Sequence, residues 1–251
     1  MRTDSAKILG IIPARLGSTR IPEKMLKDIA GKKLIERTIE RTLGAKLLDA
    51  LVASTDSEEI ASFARNLGVK AYITDPELPT GTDRVAATIE LFEDFVPDIV
   101  VNIWGDEPLY PASAIDQCIQ LLIDDPELPV ACVADRITDV KMVNEPSVVQ
   151  VLTNLNNEVL CFSRCPVPYP HTDEPYDYYH VIGAMAMRTD FLKTFVTLPR
   201  TPIEKREGVE QMRILEHGYR MKVVKGDFQN LGVNTPEELE IVRKIFEEKE
   251  K

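Results

Sequence analysis

Cysteine is scarce in this chain: four in 251 residues, at positions 118, 132, 161 and 165. That excludes a disulfide-stapled scaffold, and none is needed, because a chain of this length buries about three quarters of the surface its unfolded form exposes. Cys161 and Cys165 have a spacing that could suit a metal, but no second pair completes it, so all four are read as buried free thiols. Positive charge is also short. Thirty Lys and Arg face 41 Asp and Glu, a net charge of −11, which excludes the basic surface that nucleic acids and anionic membranes reward. A nucleotide ligand is still allowed, since its phosphates need only a few local cations and a divalent metal bridging to carboxylates. The apolar run in MRTDSAKILGIIPAR is too short for a signal-peptide core or a membrane span, which predicts a cytoplasmic protein. There is no P-loop and no G-x-G-x-x-G pattern, and no internal repeat or low-complexity segment. The 44% hydrophobic and 28% charged residues are those of a globular protein, either one large domain or a core carrying a smaller lobe.

Along the chain, short apolar β-branched runs alternate with helical periodicity. Strands are expected at 8–12, 50–54, 71–74 and 98–103, and helices at 34–43, 57–67 and 83–92, with Ser57 as an N-cap. Strand–helix alternation at such intervals predicts βαβ units, a mostly parallel sheet, and ligands beyond the carboxyl ends of the strands. After Pro129 the pattern changes to strands at 130–134, 148–152, 159–162 and 180–187. Helices at 190–195 and 208–217, a strand at 221–224 and a helix at 236–248 follow. His217 is read as a C-terminal helix cap, His171 as a solvated loop residue, and the charged EEKEK end as a frayed helix.

Three loops carry residues suited to chemistry. The first, 13–24, holds Pro13, Ala14, Arg15, Gly17, Ser18, Thr19, Arg20 and Lys24. Three cations, a glycine that lets the backbone approach and two hydroxyls suit a polyphosphate. A solvated basic loop is the plain alternative. The second, Gly105-Asp106-Glu107-Pro108, directly follows an apolar strand, where a carboxylate is well placed to hold magnesium against phosphate oxygens; a tight turn is the alternative. The third, 79–84, leads into a helix. Its Thr80, Gly81 and Thr82 could read a base edge and Arg84 could support the phosphates, or Thr82 or Asp83 could simply cap the helix.

The segments IIPARLGSTRIPEKML, PTGTDRV, VNIWGDEPL, CFSRCPVPY, GVEQMRILEHGYRMKV and LGVNTPEELE resemble, in order and spacing, the 3-deoxy-manno-octulosonate (Kdo) cytidylyltransferases, which act in lipopolysaccharide precursor synthesis. The resemblance spans nearly the whole chain. It implies an α/β fold: a Rossmann-like, mostly parallel sheet flanked by helices, with a smaller antiparallel lobe. Residues 1–251 would form a single nucleotidyltransferase domain, 1–129 its nucleotide-binding half and 130–251 its acceptor-binding and dimerisation half. It implies transfer of CMP from CTP to an acidic sugar, with Mg2+ as cofactor, a homodimer, and no nucleic-acid or membrane partner. Arg15 and Lys24 would bind the triphosphate, the segment from Thr80 to Arg84 would help to select cytosine, and Asp106 would bind magnesium. Glu107, Arg164, His180, Glu210, Gln211 and Arg213 would line the acceptor side.

The chain also departs from that family. Asn234 stands where the family has a metal-binding Asp in a G-V-D-T-P segment. His180 precedes Gly183 by three residues instead of two, which in a regular strand turns the side chain to the opposite face unless a bulge restores it. Met185 and Met187 replace aromatics, and Glu23 replaces a glycine. These changes keep two alternatives open: a cytidylyltransferase for another acid (amino-Kdo, a nonulosonate or a phosphonate), and a nucleotide-binding regulator without catalysis.

Overall fold

The structure, a computed structural model, describes residues 6–18 and 20–249. The first five residues of the N-terminal segment, Thr19 of the first loop and the last two residues of the charged end lie outside them. Strand β1 (Ile8–Ala14) is the fully apolar first run, extended through Pro13. A two-strand hairpin follows, β2 (Asp28–Ile29) and β3 (Lys32–Lys33). Then come α1 (Leu34–Thr42), β4 (Ala50–Thr55), α2 (Glu58–Asn66), β5 (Lys70–Ile73), α3 (Gly81–Leu91) and β6 (Ile99–Ile103). The Ser57 side chain caps α2, accepting from Ile60 N. The cap of α3 is Thr80, two residues before Thr82 and three before Asp83: its hydroxyl accepts from Asp83 N while the Asp83 carboxylate accepts from Thr80 N, a reciprocal box.

Helix α4 (Ala112–Asp124) is absent from the elements read in the sequence, although Ile115, Cys118, Ile119 and Leu122 bury one face at helical spacing. The second half adds β7 (Val130–Arg136), β8 (Gln150–Thr153), β9 (Val159–Ser163), β10 (Tyr179–Arg188) and α5 (Thr189–Phe195). The expected helix at 208–217 is the shorter α7 (Gln211–Glu216), and a further helix that the sequence reading lacked, α6 (Pro202–Glu207), precedes it. Gly208, at φ +66°, breaks them apart. Strand β11 (Lys222–Gly226) and α8 (Pro236–Lys249) complete the fold.

The main sheet runs β11-β7-β10-β6-β1-β4-β5, with β8 and β9 branching from β10. Pairs β1·β4, β1·β6, β4·β5 and β7·β11 are parallel. Strand β10 is antiparallel to β6, β7 and β8. Alternate residues of β1 serve two cores, Ile8 and Ile12 on one face and Leu9 and Ile11 on the other, as a strand buried on both sides requires. Among the described residues no helix is long and apolar enough to cross a membrane. Of the four thiols, Cys118 and Cys132 are buried, Cys161 is half-buried and Cys165 is exposed, so the reading of four buried cysteines is corrected for the last two, which lie within β9 and in the loop beyond it.

A break in β10 bears on the site. Ile182 pairs with Val133 but Met185 with Cys132, so Gly183 and Ala184 are accommodated in a bulge. Gly183 has φ +63°, and a Cβ there would fall 1.9 Å from the Tyr110 ring. Only glycine fits.

Candidate active site

Parallel strands deliver their following loops to one edge of the sheet, and β1, β4 and β6 do so here. The loop after β1 is anchored where Leu16 N donates to Asp56 Oδ1 at 2.8 Å, at the end of β4. Asp56 also faces Arg84 at 3.5 Å. Arg84, 3% exposed, donates to Thr74 Oγ1 as well. Burial lowers the pKa of its guanidinium, and Asp56 opposes that shift. The chain then turns at Glu23, in the left-handed region at φ 51°. That conformation accounts for a glycine as the residue expected there, since an L side chain is strained in it. The turn carries Lys24 into the site.

Lys24 Nζ donates to Asp106 Oδ2 at 2.5 Å and to the Val233 carbonyl at 2.9 Å. Val233 N donates to the Asp106 carbonyl at 2.8 Å. Three distant segments therefore meet at one cation–carboxylate pair, with side-chain exposures of 13% for Lys24 and 25% for Asp106. Beneath it lies Glu107, whose carboxyl is pushed up to about 8. Burial is the main cause, Asp106 adds to it, and the Gly183 N–H, the Asn230 amide and Lys24 partly oppose it.

These groups border a cavity of about 610 Å³. From the first loop Pro13, Arg15, Gly17, Ser18 and Lys24 line it, from the cap of α3 Thr80, Gly81 and Arg84, and after β6 Asp106 and Glu107. His180, Glu210, Gln211 and Asn234 line it from the second half. The bulge in β10 lets His180 reach the cavity despite its three-residue spacing from Gly183.

The cytidylyltransferase family profile matches residues 9–224. The 3-deoxy-manno-octulosonate cytidylyltransferase of Solibacter usitatus is 40% identical over 243 residues, 96% of this chain and 94% of that protein. The enzyme of the same name from Chlorobaculum parvum is also 40% identical, over 95% of this chain and 97% of its own. The chain belongs to the 3-deoxy-manno-octulosonate cytidylyltransferase family. A solved structure of CMP:2-keto-3-deoxy-manno-octonic acid synthetase complexed with CTP is 34% identical and superposes with a TM-score of 0.90, covering 97% of this chain and all of that one. A cytidylyltransferase from Leptospira borgpetersenii, 16% identical with a TM-score of 0.66 and covering 97% of this chain and 88% of that one, shares the fold.

Not every residue that the family motifs single out reaches the cavity of this cytidylyltransferase. Ala14 is fully buried in the core, and Arg20 is exposed outside the lining. Thr82 is buried behind the wall, donating to Glu210 Oε1 and accepting from Asn102 Nδ2 at 3.2 Å. Burial pushes the Glu210 carboxyl up, and the Thr82 hydroxyl opposes that shift. Arg164 lies outside the lining too. Its guanidinium donates to the carbonyls of Glu207, Pro146 and Gly208, bracing the segments that carry them. Arg213 is spent on Glu204, bonded bidentately at 2.9 and 2.6 Å and stacked over Phe195. In this arrangement Arg164 and Arg213 act on the cavity through the segments they hold.

Sequence reasoning missed Asp56, Asn102 and Asn230. Asp56 follows a strand end as Asp106 does, so the same signal was available. Asn102 lies within the VNIWGDEPL segment but was given no role there, Asn230 directly precedes LGVNTPEELE, and only their neighbours in space single them out. A magnesium ion fits the donor chemistry. Asp106 offers a carboxylate and Asn234 an amide oxygen on the same cavity, and hard cations take oxygen ligands. Among the described residues no three His, Cys, Asp or Glu side chains converge as a metal cluster, so phosphate oxygens and water would supply the remaining ligands, the usual habit of magnesium.

Proposed function

We propose that this enzyme transfers CMP from CTP to 3-deoxy-manno-octulosonate, releasing pyrophosphate. The observation that carries the reading is the meeting of Lys24 and Asp106 in the cavity that Arg15 also lines. A cation and a metal-capable carboxylate at one point are what a polyphosphate needs. The likeness to a synthetase solved with CTP supports the nucleotide, and the names of the 40% identical relatives support the acceptor.

In this mechanism the anomeric hydroxyl of the acceptor attacks the α-phosphorus of CTP in line, and the bond to pyrophosphate breaks. Such transfer rests on positioning and charge stabilisation. Arg15 and Lys24 offset charge on the α-phosphate and the leaving group. Arg84, fixed by Asp56 and Thr74, holds the floor beneath the phosphate loop, and within the segment from Thr80 to Arg84 the Thr80–Gly81 turn faces the base while buried Thr82 supports it from behind. Asp106 and Asn234 would hold magnesium, which when bound neutralises phosphate charge. Glu107, His180, Glu210 and Gln211 face the acceptor, while Arg164 and Arg213 keep its surroundings in place. Residues 1–129 serve mainly the nucleotide and 130–251 mainly the acceptor, with Glu107 and Asn234 crossing that division. The enzyme works in the cytoplasm as a homodimer, and the exposed Leu155, Leu160 and Tyr169 of the antiparallel lobe are consistent with a partner there.

The test is pyrophosphate release from CTP and Mg2+ with a panel of acids: Kdo, its amino-substituted form, a nonulosonate and a phosphonate. Turnover with Kdo above the others is expected. Preference for another acid overturns the acceptor, and tight CTP binding without turnover on any acid overturns the enzyme.

A further inference from the structure

Six buried side-chain atoms among the described residues have no hydrogen-bond partner, and Asn230 Oδ1 is one of them. Its other polar atoms are already engaged. Asn230 Nδ2 donates to Glu107 Oε2 at 2.5 Å, and Asn230 N donates to Asp135 Oδ2 at 2.8 Å. Asp135, itself 2% exposed, also takes Phe228 N at 2.6 Å through its other oxygen. The loop from 228 to 230 is thus clasped by a buried carboxylate at both ends. With Nδ2 engaged by Glu107 Oε2, Oδ1 faces no donor of the protein and is left as an acceptor. Asn230 is 9% exposed and lines the cavity. A buried acceptor held this rigidly calls for a donor from what enters.

The sheet indicates which substrate brings that donor. Asn230 hangs from Asp135 on β7 and from Glu107 at the end of β6, and His180 on β10 pairs across from Asp135. Strands β7 and β10 lie on the far side of β6 from β1 and β4, whose loops carry Arg15 and Asp56. We propose that Asn230 accepts a hydrogen bond from a hydroxyl group of the acceptor sugar and so helps to select that substrate. This rests on the reaction proposed above, in which the two substrates enter from opposite halves. Hydroxyls of the CTP ribose are the competing source, and the experiment separates the two.

Initial rates of the full chain are measured with CTP and the acceptor varied in turn, for the native protein, Asn230→Ala and Asn230→Ser. Loss of one neutral hydrogen bond should raise KM for the acceptor roughly three- to tenfold with KM for CTP unchanged, while the melting temperature falls because buried Glu107 also loses its Asn230 donor. Monodeoxy acceptors give the second reading. One analogue that is impaired with the native protein should be no further impaired with Asn230→Ala. A rise in KM for CTP alone or alongside, or the same impairment by every analogue in native and variant, overturns the assignment. If Asn230→Ala does not fold, Asn230→Ser carries the same readings. If the native protein prefers a different acid, the acceptor proposed above fails, and the KM split measured on that acid still decides Asn230.

Discussion

Lys24 serves two ends at once, neutralising Asp106 and tying the Val233 carbonyl into the site. Its replacement by Ala removes a positioned donor, a loss worth about 2.7–4 kcal/mol of barrier by analogy with oxyanion-hole variants. Turnover should therefore fall by roughly two to three orders of magnitude while the circular dichroism spectrum stays native. Normal turnover would remove Lys24 from the mechanism. Asn234 is the opposite kind of position, where the chain carries less charge than the family motif. An amide oxygen brings no charge to a cation, so Asn234→Asp should lower the magnesium concentration that gives half-maximal turnover; an unchanged value would mean that residue 234 does not touch the metal. Asn234 and Asp106 were both legible in the sequence because each sits in a motif. Asn230 was not, because an asparagine in a loop gains meaning only from Glu107 and Asp135, which lie 123 and 95 residues away.

Two short elements carry strain or tight fit. At Glu23 the left-handed backbone costs an L-residue roughly 1–2 kcal/mol. Glycine avoids that cost but loses more freedom on folding, so Glu23→Gly should raise stability by about 0.5–1 kcal/mol in thermal or denaturant unfolding. A lower stability would show that the Glu23 side chain holds something the backbone argument omits. At the β10 bulge the direction reverses. Gly183→Ala forces a Cβ onto the Tyr110 ring at a positive φ, an overpacking loss of about 3 kcal/mol or more, visible as a large drop in melting temperature; a drop of less than a few degrees would contradict the fit. Most strands were readable from apolar runs, since burial on both faces leaves an unmistakable composition. The bulge was not, because it depends on register against β7. Helix α4 had a readable apolar stripe that the reading did not use. The cap of α3 slipped to Thr80 because Thr80, Thr82 and Asp83 are all competent caps, and only the path of the chain into the helix chooses among them.

Across the whole molecule, the sheet turns local chemistry into pH dependence. His180 is held below its ordinary value near 6.5 by burial, with Asp135 opposing the shift. A histidine with a depressed folded pKa favours the fold while neutral, so its contribution is present above about pH 6.5 and is lost as the pH falls through the folded value. The native protein should lose melting temperature between pH 7 and pH 5 more steeply than His180→Gln; equal slopes would mean that His180 is not buried as a neutral ring. The alternation of strand and helix, the two charged loops and the family likeness were settled by composition and order, because they depend on neighbours along the chain. The joining of residue 24 to residues 106 and 233, across 82 and 209 positions, came only with the folded sheet. The same holds for the withdrawal of Arg213 onto Glu204, the return of His180 to the cavity and the orientation of Asn230. Each is a hydrogen bond or a register between segments far apart in the chain, and a side chain's partners there are chosen by packing, which no local pattern encodes.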